Sequence, residues 1–489
     1  MTDVVRTEPS SPAQVSAGAP WRVSVSAVSV VLAGLALVLT GLVLGRTDVA
    51  VLGVPLVLGV VLDWSSRPGA PARVRFGTLH QESRPGLVTH TLELEPAPGV
   101  GAVLIRVTAP GHRPALALLD LRPPPAGASR SPSDPAELTR KTRSHRLPGV
   151  SSRESGELSS SGGPAARRVA LSVRTVRTGA RDMFAVSHLQ SGPGQVVIAD
   201  PVDVGPVRVT LLPKVRPLDQ LPLPVRLQGL TGPHGSQRPG DGGDLRDINV
   251  FVPGDRLRRI DWRATARRSV SAGPGAGQLS QLYVRRTFAT ADATVMLVLD
   301  SRDDVGPDVN TWGDAARVRQ DEATSLDLAR EAAASLARRY LDAGDRVGLE
   351  DLGRLRRPVP PAGGRQQFHR LVQRLALAQP EGEPRRHQRA PRLPSGALVV
   401  IFSTFLDEDP AQLARLWRHS GHRVVAVDVL PPVSSRTLPA RVSLAYRIVR
   451  LERADRLVSL ARSGIEVLAW DDRAQVDLAA LARQRPLRP

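Results

Sequence analysis

The stretch ATVMLVLD, residues 293–300, indicates the fold class of the C-terminal part of the chain. It is a continuous apolar run that ends in aspartate, which is typical of a strand buried on both faces of a parallel sheet. Further runs of this kind follow at 397–404, 423–430 and 465–470. Because segments with helical period separate these runs, we predict a doubly wound, parallel-sheet α/β domain over residues 293–489.

The connecting segments support this prediction. Residues 321–344 place apolar side chains on one helical face, and residues 365–378 and 410–421 are further predicted helices. In doubly wound sheets, ligands bind beyond the carboxyl ends of the strands. The acidic clusters at 300–304 and 403–409 follow two such ends, so we expect them to meet at one edge.

An apolar segment near the N-terminus predicts a membrane anchor. The run VSVSAVSVVLAGLALVLTGLVL, residues 23–44, has no charged residue and would reach about 33 Å as a helix. A second run at 49–62 is shorter and contains Pro55, so a kinked or re-entrant segment is an alternative to a full crossing. We predict a disordered N-terminus over 1–20 and a transmembrane helical hairpin over 21–64.

The arginines that flank this hairpin predict its orientation. Arg22 precedes the first run, and Arg67, Arg73 and Arg75 follow the second, whereas the turn has only Arg46 beside Asp48. The positive-inside rule places both ends in the cytoplasm. We therefore expect a multi-pass protein of the cell membrane whose soluble domains are cytoplasmic.

Residues 72–215 have the pattern of a β-rich, sandwich-like domain. The runs LVTHTLELE at 87–95 and AVLIRVT at 102–108 are short, and proline and glycine bound them. Residues 122–168 are rich in proline, serine and charge, and such a composition does not build a core. We predict that they form a flexible insertion in this domain.

Residues 216–292 lack a regular period, and we interpret them as a linker. They contain VPGDRLRRIDWRATARR, residues 252–268, which we name the signature segment. Its charged residues surround one tryptophan, and it contains no histidine, cysteine or serine that could act in catalysis. The candidate interaction residues are Gly254, Asp255, Arg258, Arg259, Asp261, Trp262, Ala266, Arg267 and Arg268.

Two interpretations of the signature segment are open. In the structural one, Asp255 and Asp261 accept bidentate hydrogen bonds from nearby arginines and Trp262 packs against the sheet, so that the segment joins the β-rich domain to the α/β domain. We favour it for these three residues. The functional interpretation assigns a basic face, for an acidic partner or for lipid headgroups, to Arg256, Arg259, Arg263 and Arg267. For Arg267 and Arg268, contact with a partner is an equal alternative.

The longer run DLRDINVFVPGDRLRRIDWRATARR, residues 244–268, resembles the signature of domain-of-unknown-function family 58. The resemblance implies a membrane protein with a β-rich region and a von Willebrand factor type A-like domain. It also implies a MoxR-type AAA ATPase as partner and a role as a protein-interaction scaffold or chaperone-adaptor. Under this resemblance we expect membrane lipid and other proteins as partners, no cofactor and no enzymatic activity.

Type A domains often hold a divalent cation through an Asp-x-Ser-x-Ser run after the first strand. Asp300 matches the first ligand, but Arg302 and Asp304 stand at the two serine positions. Thr404 stands where a late aspartate is expected. A hard cation needs several oxygen ligands in one cage. We therefore predict a degenerate metal site at Asp300 and Asp304, with an arginine where the cation would bind. A weak unrelated cation site is the alternative for Asp303, Asp304, Asp407 and Asp409.

Composition bounds the function classes. The formal charge of +19 indicates an acidic protein surface, anionic lipid or nucleic acid as partner, although coding bias towards arginine explains it equally well. A membrane-tethered nucleic-acid-binding protein is thus the alternative function. The low aromatic content argues against a single-strand platform, and we do not expect nucleic acid as the partner. The absence of cysteine excludes disulfides, zinc–thiolate sites and thiol nucleophiles.

Overall fold

The computed structural model describes residues 20–81, 87–95, 97–121, 150–154, 167–227, 232–270, 281–312, 318–319, 321–353, 357–381, 390–433 and 438–484. The chain divides into two compact units, Met1–Leu211 and Leu212–Pro489. This division lies close to the predicted end of the β-rich domain at 215. The predicted linker at 216–292 belongs to the second unit, and the predicted disordered segment lies outside the described residues except for Pro20.

The first unit begins with a short strand and two helices: β1 (Trp21–Val23), α1 (Val25–Val43) and α2 (Thr47–Ser65). Both helices are long and apolar enough to cross a membrane. α2 extends beyond the apolar run at 49–62 and is one continuous helix that contains Pro55. The two helices are therefore of equal length. The kinked or re-entrant second segment, which was the alternative from the sequence, is not what the structure has.

Glycines bring α1 and α2 into close contact. A Cβ atom on Gly53 would overlap the carbonyl oxygen of Gly34, and a Cβ atom on Gly41 would overlap the backbone of Ala50. Small residues at such positions let two helix backbones approach, which is how apolar helices gain packing energy in lipid. The sequence therefore encodes a helical hairpin and not two independent apolar helices.

The remainder of the first unit is a β domain with three sheets among the described residues. Its strands are β2 (Arg73–Gln81), β3 (Leu87–Glu95), β4 (Ala102–Thr108), β5 (Ala115–Asp120), β6 (Val150–Glu154), β7 (Arg167–Arg174), β8 (Gly179–Met183), β9 (Ala185–Ser191), β10 (Val197–Ala199), β11 (Val202–Val204) and β12 (Val207–Leu211). Among the described residues, one sheet has the order β1-β10-β9-β4-β5, with β11 also on β9, and a second has the order β2-β3-β7-β6. The third sheet is the antiparallel pair of β8 and β12. Alternate residues such as Leu92 on β3 and Ile105 on β4 fill one core.

The predicted flexible insertion at 122–168 lies mostly outside the described residues. Its described part differs from the prediction, because β6 pairs with β7 in antiparallel register from Val150↔Val173 to Glu154↔Val169. A short strand with serines and a single valine carries little apolar pattern of its own. β6 is a strand because β7 supplies its backbone hydrogen bonds.

The second unit contains a β-ribbon and a larger sheet covered by helices. Its elements are β13 (His234–Val250), α3 (Trp262–Val270), β14 (Tyr283–Ala291), β15 (Thr294–Leu299), α4 (Ser325–Asp342), β16 (Arg346–Asp351), β17 (Val359–Ala362), α5 (Arg365–Leu377), β18 (Leu398–Ser403), α6 (Asp409–His419), β19 (Arg423–Asp428), α7 (Ala440–Arg462), β20 (Glu466–Ala469) and α8 (Ala474–Arg483). The sheet order is β17-β16-β15-β18-β19-β20 among the described residues.

This sheet confirms the doubly wound arrangement. On one face, α4, α5 and α8 pack on Leu297 and Val400, and on the other, α6 and α7 pack on Val298 and Ile401. The sheet is not wholly parallel, because the edge strand β17 runs antiparallel to β16. The sequence did not predict β17, α7 or α8. β17 is proline-rich, α7 is mostly exposed, and α8 is short.

The predicted linker is wrong for much of its length. β13 pairs with β14 in an antiparallel ribbon with three register irregularities. The five glycines between Gly232 and Gly243 hid this strand, because glycine is depleted in strands and often marks bulges. Gly240, for example, lies where a Cβ atom would overlap Ala289 on β14.

Candidate functional site

The signature segment connects the two strands of the ribbon and is bonded to the second of them. The N–H of Phe251 donates to the carbonyl of Leu282 at 2.8 Å, and the N–H of Asp261 donates to the carbonyl of Tyr283 at 2.8 Å. Ile260 forms an isolated bridge with Val284. Both ends of the exposed part of the segment are thus held by β14.

A tight turn begins the segment. Gly254 has a φ of +105°, which a residue with a side chain rarely adopts. The Asp255 carboxylate accepts the N–H of Val252 at 3.0 Å and a guanidinium hydrogen bond from Arg286 at 3.3 Å. These two contacts hold the pKa of Asp255 below its ordinary value. The Gly-Asp pair of the motif therefore shapes the loop.

Asp261 fastens the start of α3. One carboxylate oxygen accepts the N–H of Ala264 at 2.9 Å, as an N-cap does, and the other accepts Nε of Arg285 at 2.7 Å. The Ala264 N–H, and after it Arg285, lower the pKa of Asp261. The side chain of Thr265, one turn further on, accepts the N–H of Tyr283 at 3.0 Å. Each aspartate accepts one hydrogen bond from an arginine of β14, and not the bidentate pair that we expected. The role of joining the two domains stays a prediction.

Trp262 is a correction to the structural interpretation. We expected it to pack against the sheet, but 63% of its surface is exposed to solvent. Asp261 and Thr265 are the buried side chains of this turn of helix, whereas the adjacent tryptophan is exposed. Leu257, on the preceding 3₁₀ turn, is also exposed, at 69%. Two large apolar side chains therefore lie on the surface of the segment.

The arginines of the segment fall into two groups. Arg256 and Arg259 form ion pairs with Asp241 on β13, and the Arg268 guanidinium stacks over the Tyr283 ring at 4.5 Å. Among the described residues, the exposed Arg258 and Arg263 form no ion pair, and Arg267, Ala266 and Gly254 are exposed as well. The first group braces the ribbon, and the second gives the outer surface a positive charge.

An open cleft of about 360 Å³ lies beside the segment. Its lining combines guanidinium groups, one buried carboxylate and one exposed indole. The lining residues are Arg258, Arg259, Ile260, Asp261, Trp262, Arg285 and Thr287. A carboxylate-bearing ligand would meet both charge-assisted hydrogen-bond donors and an apolar wall there.

At the carboxyl edge of the sheet, the two acidic clusters meet. Arg302 lies between them with only 3% of its side chain exposed. Its guanidinium donates to the Asp300 carboxylate at 2.8 and 3.0 Å, to Asp409 at 3.0 Å and to Asp407 at 3.2 Å. Oδ2 of Asp300, which accepts the 3.0 Å bond from Arg302, also accepts the Ser403 hydroxyl at 2.7 Å. We name this group the Arg302 cluster.

In the Arg302 cluster, a guanidinium lies between the carboxylates. This is the edge of the sheet where Asp300 matches the first ligand of the metal-binding motif. Asp304 does not join it, because its carboxylate accepts the N–H of Leu326 at the start of α4. The hydroxyl of Thr404 accepts the N–H of Leu406. No group of three or more histidine, aspartate or glutamate side chains in the described parts of the chain is arranged to hold a metal ion.

Burial and charge shift the acidities at this edge. Burial opposes the charge of Arg302, but hydrogen bonds and attraction from Asp300, with Asp407 and Asp409, raise its pKa above the ordinary value. Burial, with Asp300 and Asp407 nearby, raises the pKa of Asp303 to about 6. Burial also raises the pKa of Asp407, although Arg302 opposes that shift.

Comparison with known proteins gives a family match for part of the chain. Residues 247–446 match the family described as protein of unknown function DUF58. Uncharacterized proteins of Mycobacterium bovis and Mycobacterium tuberculosis are 29% identical over 238 residues, which is 48% of this chain and 63% of each relative. The match thus spans less than two thirds of the length of these relatives. No solved structure matches the chain significantly.

The DUF58 match contains both the signature segment and the Arg302 cluster. It confirms the family resemblance for this region, which contains most of the sequence motif at residues 244–268. The residues that sequence reasoning missed are the partners supplied by β13 and β14: Asp241, Tyr283, Arg285 and Arg286. The adjacent arginines of β14 are visible in the sequence, but only strand pairing places them beside the two aspartates.

Proposed function

We propose that this protein is a membrane-anchored protein-interaction scaffold or chaperone-adaptor whose docking surface is the signature segment. The exposed Trp262 carries the proposal. Tryptophan and arginine are the side chains most enriched where protein partners bind tightly. Here Trp262 and Leu257 lie among the exposed Arg258 and Arg263, on a loop that Asp255 and Asp261 hold in shape. Binding, and not catalysis, is the function that such a surface serves.

We further propose that the α/β domain is von Willebrand factor type A-like and that the partner is a MoxR-type AAA ATPase. The sheet supports the first part, because its strands have the order 3-2-1-4-5-6 along the chain with the third antiparallel. The partner follows from the family resemblance of the signature segment. Its positive outer surface fits an acidic surface on that ATPase.

The anchor in this proposal is the hairpin of α1 and α2, with the soluble parts in the cytoplasm. Each helix has 19 residues, about 28 Å, which matches a hydrocarbon core of about 30 Å. Arg22 before α1 and Arg67 after α2 favour a cytoplasmic location for both ends. The protein would then be a multi-pass protein of the cell membrane.

The test is a crosslinking pull-down from native membranes with the parent chain and the double variant Trp262→Ala/Arg263→Glu. We expect the parent to capture an AAA ATPase and the variant to lose that capture. Truncating a central tryptophan costs about 2 kcal/mol or more, roughly thirtyfold in affinity. Val476→Ala is the control, because it shortens an equally exposed apolar side chain on α8. Equal capture by parent and double variant would refute the docking surface.

The alternative is a membrane-tethered nucleic-acid binder, because an exposed tryptophan among arginines also suits stacking on a base. Phosphate contacts would make binding weaken steeply as salt rises. A gel shift with single-stranded and double-stranded oligonucleotides at increasing salt tests this. A salt-sensitive shift lost in Trp262→Ala would favour nucleic acid over a protein partner.

A further inference from the structure

The two ends of the helical hairpin bind one residue of the β domain. The N–H of Ser24, just before α1, donates to the carbonyl of Val196 at 2.7 Å. The N–H of Val196 donates to the carboxylate of Asp63, in the last turn of α2, at 3.1 Å. Val196 lies in the turn 192–197, between β9 and β10, and we name this the receiving turn. The start of α1 and the end of α2 therefore lie at the same end of the β domain.

The connection on the α1 side contains no linker. β1 pairs with β10 from Trp21↔Ala199 to Val23↔Val197, and α1 begins at Val25. The Ser24 side chain accepts the N–H of Ala27 at 3.1 Å and caps the helix. The strand of the β domain thus continues directly into the helix.

The connection on the α2 side is equally direct. The other carboxylate oxygen of Asp63 accepts the N–H of Gly194 at 2.7 Å. A Cβ atom on Gly194 would approach the Asp63 carboxylate within about 2.5 Å, so a larger residue there would displace that carboxylate. Further along, Ala72 and the Gln190 side chain exchange hydrogen bonds of 2.7 and 2.8 Å. Hydrogen bonds at Asp63 and at Ala72 therefore hold both ends of the segment between α2 and β2 on the β domain.

The helices are too short to lift this end away from a bilayer. At 19 residues each, they reach about 28 Å, and a hydrocarbon core is about 30 Å thick. All of their length is needed to cross, so the residues at their ends lie at the interface between lipid and water. Trp64 and Arg67 are in contact there, with the guanidinium 5.6 Å from the ring. Interfacial tryptophans and arginines are typical of such positions.

We propose that the receiving turn, with the hairpin ends Trp21–Ser24 and Asp63–Arg67, is a lipid-contacting surface that lies in the headgroup layer of the bilayer. The proposal rests on the membrane anchoring proposed above. Its occupant is an anionic phospholipid surface, because Arg67 is exposed at this end and Arg22, which pairs with Asp200, keeps 69% of its side chain exposed. The β domain is then seated on the membrane and not tethered above it.

The natural absence of cysteine permits a test with single labels. Gln195→Cys places a fluorophore on the receiving turn, and His112→Cys places one on the turn between β4 and β5. The two positions lie at opposite ends of β4, which spans 7 residues, about 23 Å. The full chain is placed in vesicles of phosphatidylcholine and phosphatidylglycerol that contain a lipid with a nitroxide on its headgroup.

We expect the nitroxide lipid to quench most of the fluorescence at 195 and to leave that at 112 unchanged. Ser66→Cys, which reports the same end from the hairpin side and keeps both arginines, should behave as 195 does and serves if Gln195→Cys fails to fold. Equal quenching at both ends of β4 would overturn the proposal. Vesicle flotation separates the two possible failures. A chain that does not float with the vesicles refutes the membrane anchoring. A chain that floats but is not quenched at the receiving turn refutes only the lipid contact of that turn.

Discussion

Arg302 is the single residue on which the carboxyl edge of the sheet depends most. Its guanidinium is the shared partner of three carboxylates, and the side chain is almost completely buried. We expect Arg302→Ser to lower the free energy of unfolding by about 3 to 5 kcal/mol, because removing one partner leaves buried charges uncompensated. Urea denaturation of the full chain in detergent measures this loss.

The matched control for Arg302→Ser is Arg319→Ser, which removes an exposed arginine paired with Asp321 and should cost no more than about 1 kcal/mol. Added Mg²⁺ should raise the melting temperature of Arg302→Ser, since it can replace the lost charge among the carboxylates, and leave the parent unchanged. Equal losses of unfolding free energy in the two serine variants would contradict the role of Arg302 as the cation that balances the buried carboxylates.

Asp303 makes the stability of the same edge depend on pH. Its pKa is about 6 in the folded chain, mainly through burial, and therefore lies above the unfolded value near 4. The folded state thus favours the protonated form, and the charged form costs stability above about pH 6. We expect Asp303→Asn to be more stable than the parent at about pH 7.5 by roughly 1 to 3 kcal/mol. The difference should shrink as the pH falls from about 6 towards 4, whereas a gap independent of pH would contradict the raised pKa.

Helix packing in the hairpin depends on positions where the backbones touch. Gly53→Leu on α2 would force its side chain into the backbone of Gly34, so we expect α1 and α2 to separate. Gly59→Leu, on the same helix, meets no atom within 4 Å and serves as the control. Thermal unfolding in detergent should show a loss of about 1 to 3 kcal/mol or more for Gly53→Leu and little change for Gly59→Leu. Equal stability of the two variants would refute the packing.

Elements were predictable where their pattern came from their own residues. β3 and β4 have the predicted bounds, and the buried strands β15 and β18 lie within the predicted runs. The ribbon strand β13 was missed because its glycines and bulges erase the alternation. α7 was missed because its apolar residues do not gather on one face. In both cases hydrogen bonding or packing with neighbours overrides a weak local signal.

The two units should be separable, because the cores of the second unit contain residues from Leu218 onwards only. We expect a fragment of residues 212–489 to remain soluble without the hairpin and to unfold in one cooperative transition. Circular dichroism during heating measures this. Its control is the same fragment with Leu297→Asp, which places a charge in the core and should abolish the transition. Broad, non-cooperative melting of the parent fragment would contradict independent folding.

For the molecule as a whole, the sequence by itself determined the apolar hairpin, the β-rich domain and the doubly wound sheet, because length, period and apolar content are local properties. It also indicated the family resemblance of the signature segment and showed an acidic cluster after each of two predicted strands, but not that the clusters meet. Only the tertiary structure decided that Trp262 is exposed, that Arg285 and Arg286 bind the two aspartates, and that Arg302 lies between three carboxylates. These outcomes depend on residues distant along the chain, and strand pairing and burial, not local pattern, bring such residues together.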